Sequence, residues 1–161
     1  MILTYLHLAG LVISLGGGLF FVIGLYPSLR TFDDPSIRMR LLASSLRIFH
    51  PLFLFGLCLT FMTGALHLTD FKIALGSDYL PKIGSILLWK FGMTLLIFLI
   101  AGMQCFGMGL KFQRMVNGVV PGDLATQERY AKKIWRAQFA NLIFLAITLW
   151  LGLMMSAIIH D

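Results

Sequence analysis

Four long apolar segments, separated by short polar stretches, dominate the hydrophobic pattern of the chain. They cover residues 2–27, 51–69, 83–110 and 139–159. An α-helix needs about 20 residues to cross the hydrocarbon core of a bilayer, and each segment is of that length or longer. The pattern therefore predicts an all-α integral membrane protein with four transmembrane helices.

The polar residues before two of the apolar segments predict that these helices begin outside the membrane. Asp34 followed by Pro35 is typical of a helix N-terminus, and a helix that begins there continues into the second segment. Residues 124–136 extend the fourth helix in the same way. Residues 70–82 are predicted to form a loop. Because the connections are short, we expect an up-down four-helix bundle that forms a single domain over residues 1–161.

The composition agrees with a membrane protein. Hydrophobic residues make up 58% of the chain and charged residues 12%, whereas soluble domains have about 45–50% and about 25%. A soluble core is therefore excluded. The net charge of +6 is not carried by a basic face on a soluble module, so we expect contacts with membrane lipids and no nucleic acid partner.

Basic residues are concentrated in two of the three connections, which predicts the orientation. Ten of the thirteen Lys and Arg residues lie there: Arg30, Arg38, Arg40, Arg47, Lys111, Arg114, Arg129, Lys132, Lys133 and Arg136. Connections rich in Lys and Arg remain in the cytoplasm. We therefore expect a multi-pass protein of the bacterial inner membrane with both termini outside and with helices 2 and 4 extended into the cytoplasm.

Two histidines lie inside apolar segments at matching depths. His7 is about five residues into the first helix, and His67 is two or three residues before the end of the second. With a rise of about 1.5 Å per residue, antiparallel helices place them within one helical turn of each other. An ionisable group inside the membrane is a functional-site hypothesis. Two level imidazoles suit the axial positions of a haem iron, so we predict His7 and His67 as metal ligands of haem b.

Small residues accompany both histidines. Gly10 and Ser14 share a helix face with His7, and Gly64 lies three positions before His67. Stripes of small residues allow close packing of membrane helices. A second interpretation is that they leave space for a planar macrocycle beside each histidine, and on that interpretation all three residues line the cofactor.

The third and fourth helices add further candidates at the same end. Lys90 is a partner for a haem propionate, and Trp89 beside it is typical of an aromatic interface belt; both are included in the predicted cofactor site. His160 is expected at the same mouth of the bundle, whereas His50 stands alone towards the other end and is predicted to be interfacial. The nine methionines and two cysteines are scattered, so copper is a less favoured ligand than haem.

These segments resemble the CopD-like four-helix membrane proteins. The resemblance is carried by residues 7–10 (HLAG) and 16–21 (GGGLFF), by residues 47–49 (RIF) through 63–64 (TG), and by residues 84–90 (GSILLWK). It covers about three quarters of the chain. That superfamily includes copper-uptake proteins and the HemJ-type protoporphyrinogen oxidases, which bind b-type haem. The resemblance therefore implies membrane redox or metal chemistry, with His7 and Lys90 as the residues that carry over.

Three functions remain open. The first is a b-type haem protein of electron transfer, alone, as a homo-oligomer or as a respiratory-complex subunit, that uses quinol or an outer redox partner. The second is a HemJ-type protoporphyrinogen IX oxidase. That group has an arginine after its glycine-aromatic motif, where this chain reads VIGL at residues 22–25, and it has no counterpart of His67. The third is a cofactor-free structural or copper-handling subunit.

Overall fold

The computed structural model describes residues 2–160, and side chains for all of these except Phe71, Ala74 and residues 158–160. The described chain consists of helices and short turns without a strand. The four long helices are α1 (Ile2–Leu29), α2 (Pro35–Leu75), α3 (Gly76–Val116) and α4 (Leu124–His160). Each is long and apolar enough to cross a membrane. The predicted all-helical chain with four membrane-length helices is therefore confirmed.

Two aspartates mark the starts of α2 and α4. The Asp34 carboxylate accepts a hydrogen bond from the Ser36 backbone N–H at 2.7 Å, and Asp123 accepts one from the Thr126 N–H at 3.0 Å. These bonds satisfy N–H groups that have no acceptor within the helix, and they hold the pKa of both carboxyls below the usual range. Each helix then runs without interruption into its apolar part, which confirms that both helices begin at these polar residues.

The prediction of a loop over residues 70–82 is wrong. Helix α2 continues to Leu75, a single turn of 3₁₀-helix follows at Gly76–Asp78, and the α-helical part of α3 begins at Tyr79. Gly76 makes this turn with a φ of +52°, a conformation that glycine adopts without steric cost. Pro81 lies in the first helical turn, where its missing N–H would have no acceptor within the helix. The turn residues therefore connect two helices directly.

Contacts between the helices show that chain neighbours run antiparallel. Gly10, early in α1, packs on Thr60, late in α2, and Phe21 stacks on Phe49 with ring centroids 4.8 Å apart. The bundle therefore has two distinct ends. We call the end that contains the α2–α3 turn the histidine end, and the end that contains the connections 30–34 and 117–123 the basic end.

Apolar side chains lie both inside the bundle and on its outer surface. Two buried clusters fill the interior, one centred on Phe21, Leu46 and Phe112 towards the basic end and the other on Phe53 and Ile97. Many other large apolar side chains face outwards, among them Ile23, Phe55, Leu88, Phe106 and Leu153. An outer surface of this kind suits a hydrocarbon solvent, which has no penalty for exposed apolar groups.

Candidate metal centre

The two predicted metal ligands lie side by side at the histidine end. His7 comes from the second turn of α1 and His67 from the last part of α2. Their ring centroids are 5.8 Å apart and their ring planes are almost perpendicular, at 89°. The structure therefore brings together the pair that the sequence placed at one depth.

A hydrogen bond from α2 orients the ring of His7. Nδ1 of His7 lies 2.9 Å from the hydroxyl oxygen of Thr63. That hydroxyl also lies 2.6 Å from the Leu59 carbonyl. If it donates its single proton there, its oxygen accepts a hydrogen bond from the Nδ1–H of His7. In that tautomer, Nε2 is the nitrogen available to a metal.

His67 has an equivalent partner on its own helix. Its Nδ1 atom lies 3.3 Å from a carboxylate oxygen of Asp70, one turn further along α2. A carboxylate that accepts a hydrogen bond from Nδ1–H leaves Nε2 free as a ligand, which is the usual arrangement around histidines that bind metals. Both histidines therefore have a hydrogen-bond partner at Nδ1 that orients the ring.

The separation of the two rings agrees with ligation of one ion. With metal–nitrogen bonds of about 2.0–2.1 Å, two imidazoles on opposite sides of an ion have centroids about 6.4 Å apart, which is slightly more than the observed 5.8 Å. Perpendicular ring planes are compatible because each imidazole is free to rotate about its metal bond. Among the described residues, no group of three or more His, Cys, Asp and Glu side chains is placed to hold a metal.

A set of two imidazoles favours haem over a bare zinc ion. Structural zinc sites take four protein ligands and catalytic ones three. A haem iron receives four nitrogens from its macrocycle and needs only two axial ligands from the protein. The donor set at His7 and His67 therefore fits haem, and the carboxylate of Asp70 and the hydroxyl of Thr63 fit the outer shell around such ligands.

The glycines near the histidines lie at close helix contacts. A Cβ atom on Gly10 would lie 2.8 Å from the backbone nitrogen of Thr60, so α1 and α2 approach each other here with no room for a side chain. A Cβ on Gly64 would lie 3.3 Å from the His7 ring. Ser14 is fully buried and donates to the Gly10 carbonyl at 2.8 Å. Close packing accounts for these positions, and a role in lining a cofactor stays a prediction.

Lys90 and Trp89 point in different directions. A Cβ atom on Gly152 of α4 would lie 3.1 Å from Nζ of Lys90, so this ammonium group lies between α3 and α4. Lys90 also lies near enough to His7 for their charges to interact, and it forms no salt bridge with any described residue. Trp89 is 65% exposed on the outer surface. The structure therefore places Lys90, but not Trp89, near the histidine pair. The side chain of His160 lies outside the described ones.

His50 is not interfacial as predicted but buried inside the bundle. Only 4% of the residue is exposed, and its ring lies against Gly109 of α3 so closely that a Cβ there would be 2.7 Å from Nδ1 of His50. The Sγ atom of Cys105 lies 3.9 Å from the His50 carbonyl. The ring of His50 fits inside the bundle because Gly109 of α3 has no side chain. This long-range contact cannot be predicted from the residues that neighbour His50 in the sequence.

A buried layer of amide side chains, which the sequence analysis missed, joins α3 to α4. Gln104 donates to Gln138 at 3.0 Å, and Asn141 donates to Gln104 at 3.5 Å. Gln104 lies in a π-helical segment, Met103–Gly109, and such segments occur frequently at functional sites. The sequence contained a signal for this layer. Gln104 and Asn141 each interrupt an apolar segment, and Gln138 lies three residues before Asn141 on the same helix face. Such bonds help to hold membrane helices together.

Comparison of the chain with known protein families, with curated proteins and with solved structures finds no match. The resemblance to the CopD-like proteins rests on the quoted sequence segments alone and stays a prediction. The fold and the site together define a four-helix protein. Its helices are long enough to cross a membrane, and a pair of oriented imidazoles lies at one end of the bundle.

Proposed function

We propose that the protein is a b-type haem protein of membrane electron transfer with His7 and His67 as the axial ligands. The observation that carries this proposal is the adjacent pair of imidazoles, each of which has a hydrogen-bond partner at its Nδ1 atom. Haem, when bound, supplies one-electron transfer. The single pair of ligands supports about one haem per chain.

Several residues of the chain have defined roles in this proposal. Thr63 and Asp70 orient the two rings, and hydrogen bonds of this kind raise the basicity of the ligand nitrogen. Lys90, which has no salt-bridge partner among the described residues, is available to a propionate. The surrounding apolar helices exclude water, which influences the reduction potential.

The distribution of basic residues supports an orientation. The basic end contains most of the Lys and Arg residues, so we place it in the cytoplasm and the histidine end on the outer side of a bacterial inner membrane. Electrons would then pass between a quinol in the bilayer and a redox partner or another redox subunit on the outer side.

A second candidate is copper handling at the same two histidines. The contact between Gly10 and Thr60 brings α1 and α2 close together just below the pair. A macrocycle between the rings requires the two helices to separate at this end, whereas a bare copper ion does not. Imidazole is a suitable ligand for copper, so this candidate uses the same residues with a smaller ligand.

The content of haem and metals in the purified protein distinguishes these two functions. The full chain is purified in detergent from cells grown with and without added copper, and haem, iron and copper are quantified per chain. We expect about one haem iron per chain under both conditions, because the chain has one axial pair. Copper without haem contradicts the haem proposal and supports copper handling. Protein with neither metal contradicts both.

A further inference from the structure

A cleft opens at the basic end, far from the histidine pair. It lies where the end of α1 meets the first turns of α2 and α4, and its volume is about 150 Å³. Helix α1 ends at Leu29, next to the cleft, and Tyr26 at its edge stacks on Trp135 with ring centroids 5.8 Å apart. Tyr and Trp are enriched where the hydrocarbon core meets the headgroups, so we infer that the cleft lies at headgroup level.

Three basic side chains, two from helices and one from the turn after α1, line the rim of the cleft. Arg30 follows α1, Arg38 belongs to α2 and Lys132 belongs to α4. Arg38 forms a salt bridge with Glu128, which offsets one positive charge. Arg30 and Lys132 form no salt bridge with any residue that the structure describes. The rim therefore presents two positive charges without a salt-bridge partner, and they come from separate elements of the chain. Convergence of such charges on one cleft is typical of an anion-binding site, whereas the solvated face of a single helix does not bring them together.

The floor of the cleft is apolar. It is formed by buried side chains from the same three helices, Leu29, Met39, Leu42 and Ala131. A basic rim above an apolar floor is complementary to an amphiphilic anion, whose charged group binds the rim while its uncharged part covers the floor. A small inorganic anion has the charge but no apolar group that could cover the floor.

We propose that this cleft binds the phosphate group of an anionic phospholipid from the adjacent leaflet. Guanidinium and ammonium groups bind phosphate oxygens through charge-assisted hydrogen bonds, and basic pockets between transmembrane helices on the cytoplasmic side bind acidic headgroups. The bound lipid bridges α1, α2 and α4 and stabilises their packing. The proposal is independent of the haem proposal, because it uses neither His7 nor His67.

The test compares two double variants that remove the same charge. Arg30→Gln with Lys132→Gln removes the uncompensated charges of the rim. Arg40→Gln with Arg129→Gln is the matched control, because both of these residues are exposed near the starts of α2 and α4 and neither lines the cleft. The full chain is purified in detergent and titrated with phosphatidylglycerol, phosphatidylcholine or inorganic phosphate. The thermal unfolding midpoint and the lipid retained in native mass spectrometry are measured.

We expect phosphatidylglycerol to raise the unfolding midpoint of the wild type, because a ligand of the folded state stabilises it. The rim variant should bind this lipid about 25-fold more weakly, at about fivefold per basic residue, whereas the control should lose less than about threefold. Phosphatidylcholine should have little effect. Equal loss in the two variants overturns the site. The same stabilisation by inorganic phosphate alone overturns the assignment to a lipid and identifies a soluble anion as the ligand.

Discussion

Alanine at either His7 or His67 is expected to abolish the low-spin, bis-histidine absorption spectrum of the bound haem. Each substitution removes one axial ligand, and no other histidine whose side chain the structure describes lies at this end to replace it. Because loss of an outer-shell partner alone costs about 10- to 100-fold in metal affinity, loss of a ligand should weaken haem binding by more than about 100-fold. Absorbance spectra of the purified variants and their haem content measure both effects.

Leu8→Ala and Leu66→Ala are the controls for these variants. Each lies next to one of the histidines and is exposed on the outer surface, so its loss changes the local helix without touching the pair. Both controls should retain the wild-type spectrum. A low-spin bis-histidine spectrum in either the His7→Ala or the His67→Ala protein would show that the axial assignment is wrong.

The substitution Gly109→Ala is expected to destabilise the bundle by about 1–3 kcal/mol or more, the usual cost of overpacking a core. The added Cβ would overlap the buried ring of His50, at 2.7 Å from Nδ1, and would lie 2.8 Å from the backbone oxygen of Gln104. Neither the buried His50 ring nor the backbone oxygen is the end of a flexible side chain, so neither moves aside easily. Unfolding midpoints in detergent, by heat or by denaturant, measure the loss.

Gly107→Ala is the matched control for this substitution. Gly107 belongs to the same π-helical segment as Gly109, and a Cβ there has no neighbouring atom within 4 Å. Because alanine has a higher helix propensity than glycine, we expect this variant to be neutral or more stable by up to about 1 kcal/mol. Equal stability changes in the two variants would contradict the contact between His50 and Gly109.

The features of the fold that could be predicted from the sequence are those that depend on neighbouring residues in the chain. The four helices follow from the lengths of the apolar segments, and the starts of α2 and α4 follow from Asp34 and Asp123, whose side chains bond to N–H groups a few residues away. The loop at residues 70–82 was a wrong prediction because turn-forming residues there are spread over a long stretch. The chain reverses within the single turn Gly76–Asp78, where Gly76 has a positive φ, and the flanking residues remain helical.

The sequence predicted that His7 and His67 lie at the same level of the bundle. It did not predict the contacts that each ring makes. The depths of His7 and His67 require only the helical rise and an antiparallel pair. The bond from His7 to Thr63 also requires the rotation of α1 against α2, which depends on contacts such as Gly10 with Thr60. Such contacts join residues far apart in the chain, so no local pattern reveals them.

The most direct test of the central claim is the absorption spectrum of the purified wild-type protein, recorded oxidised and then reduced with dithionite. If His7 and His67 are the axial ligands of a haem, the reduced protein will show the sharp α and β bands of a low-spin b-type haem. A protein that was purified from haem-replete cells and shows no haem absorption in either state would contradict the proposed function.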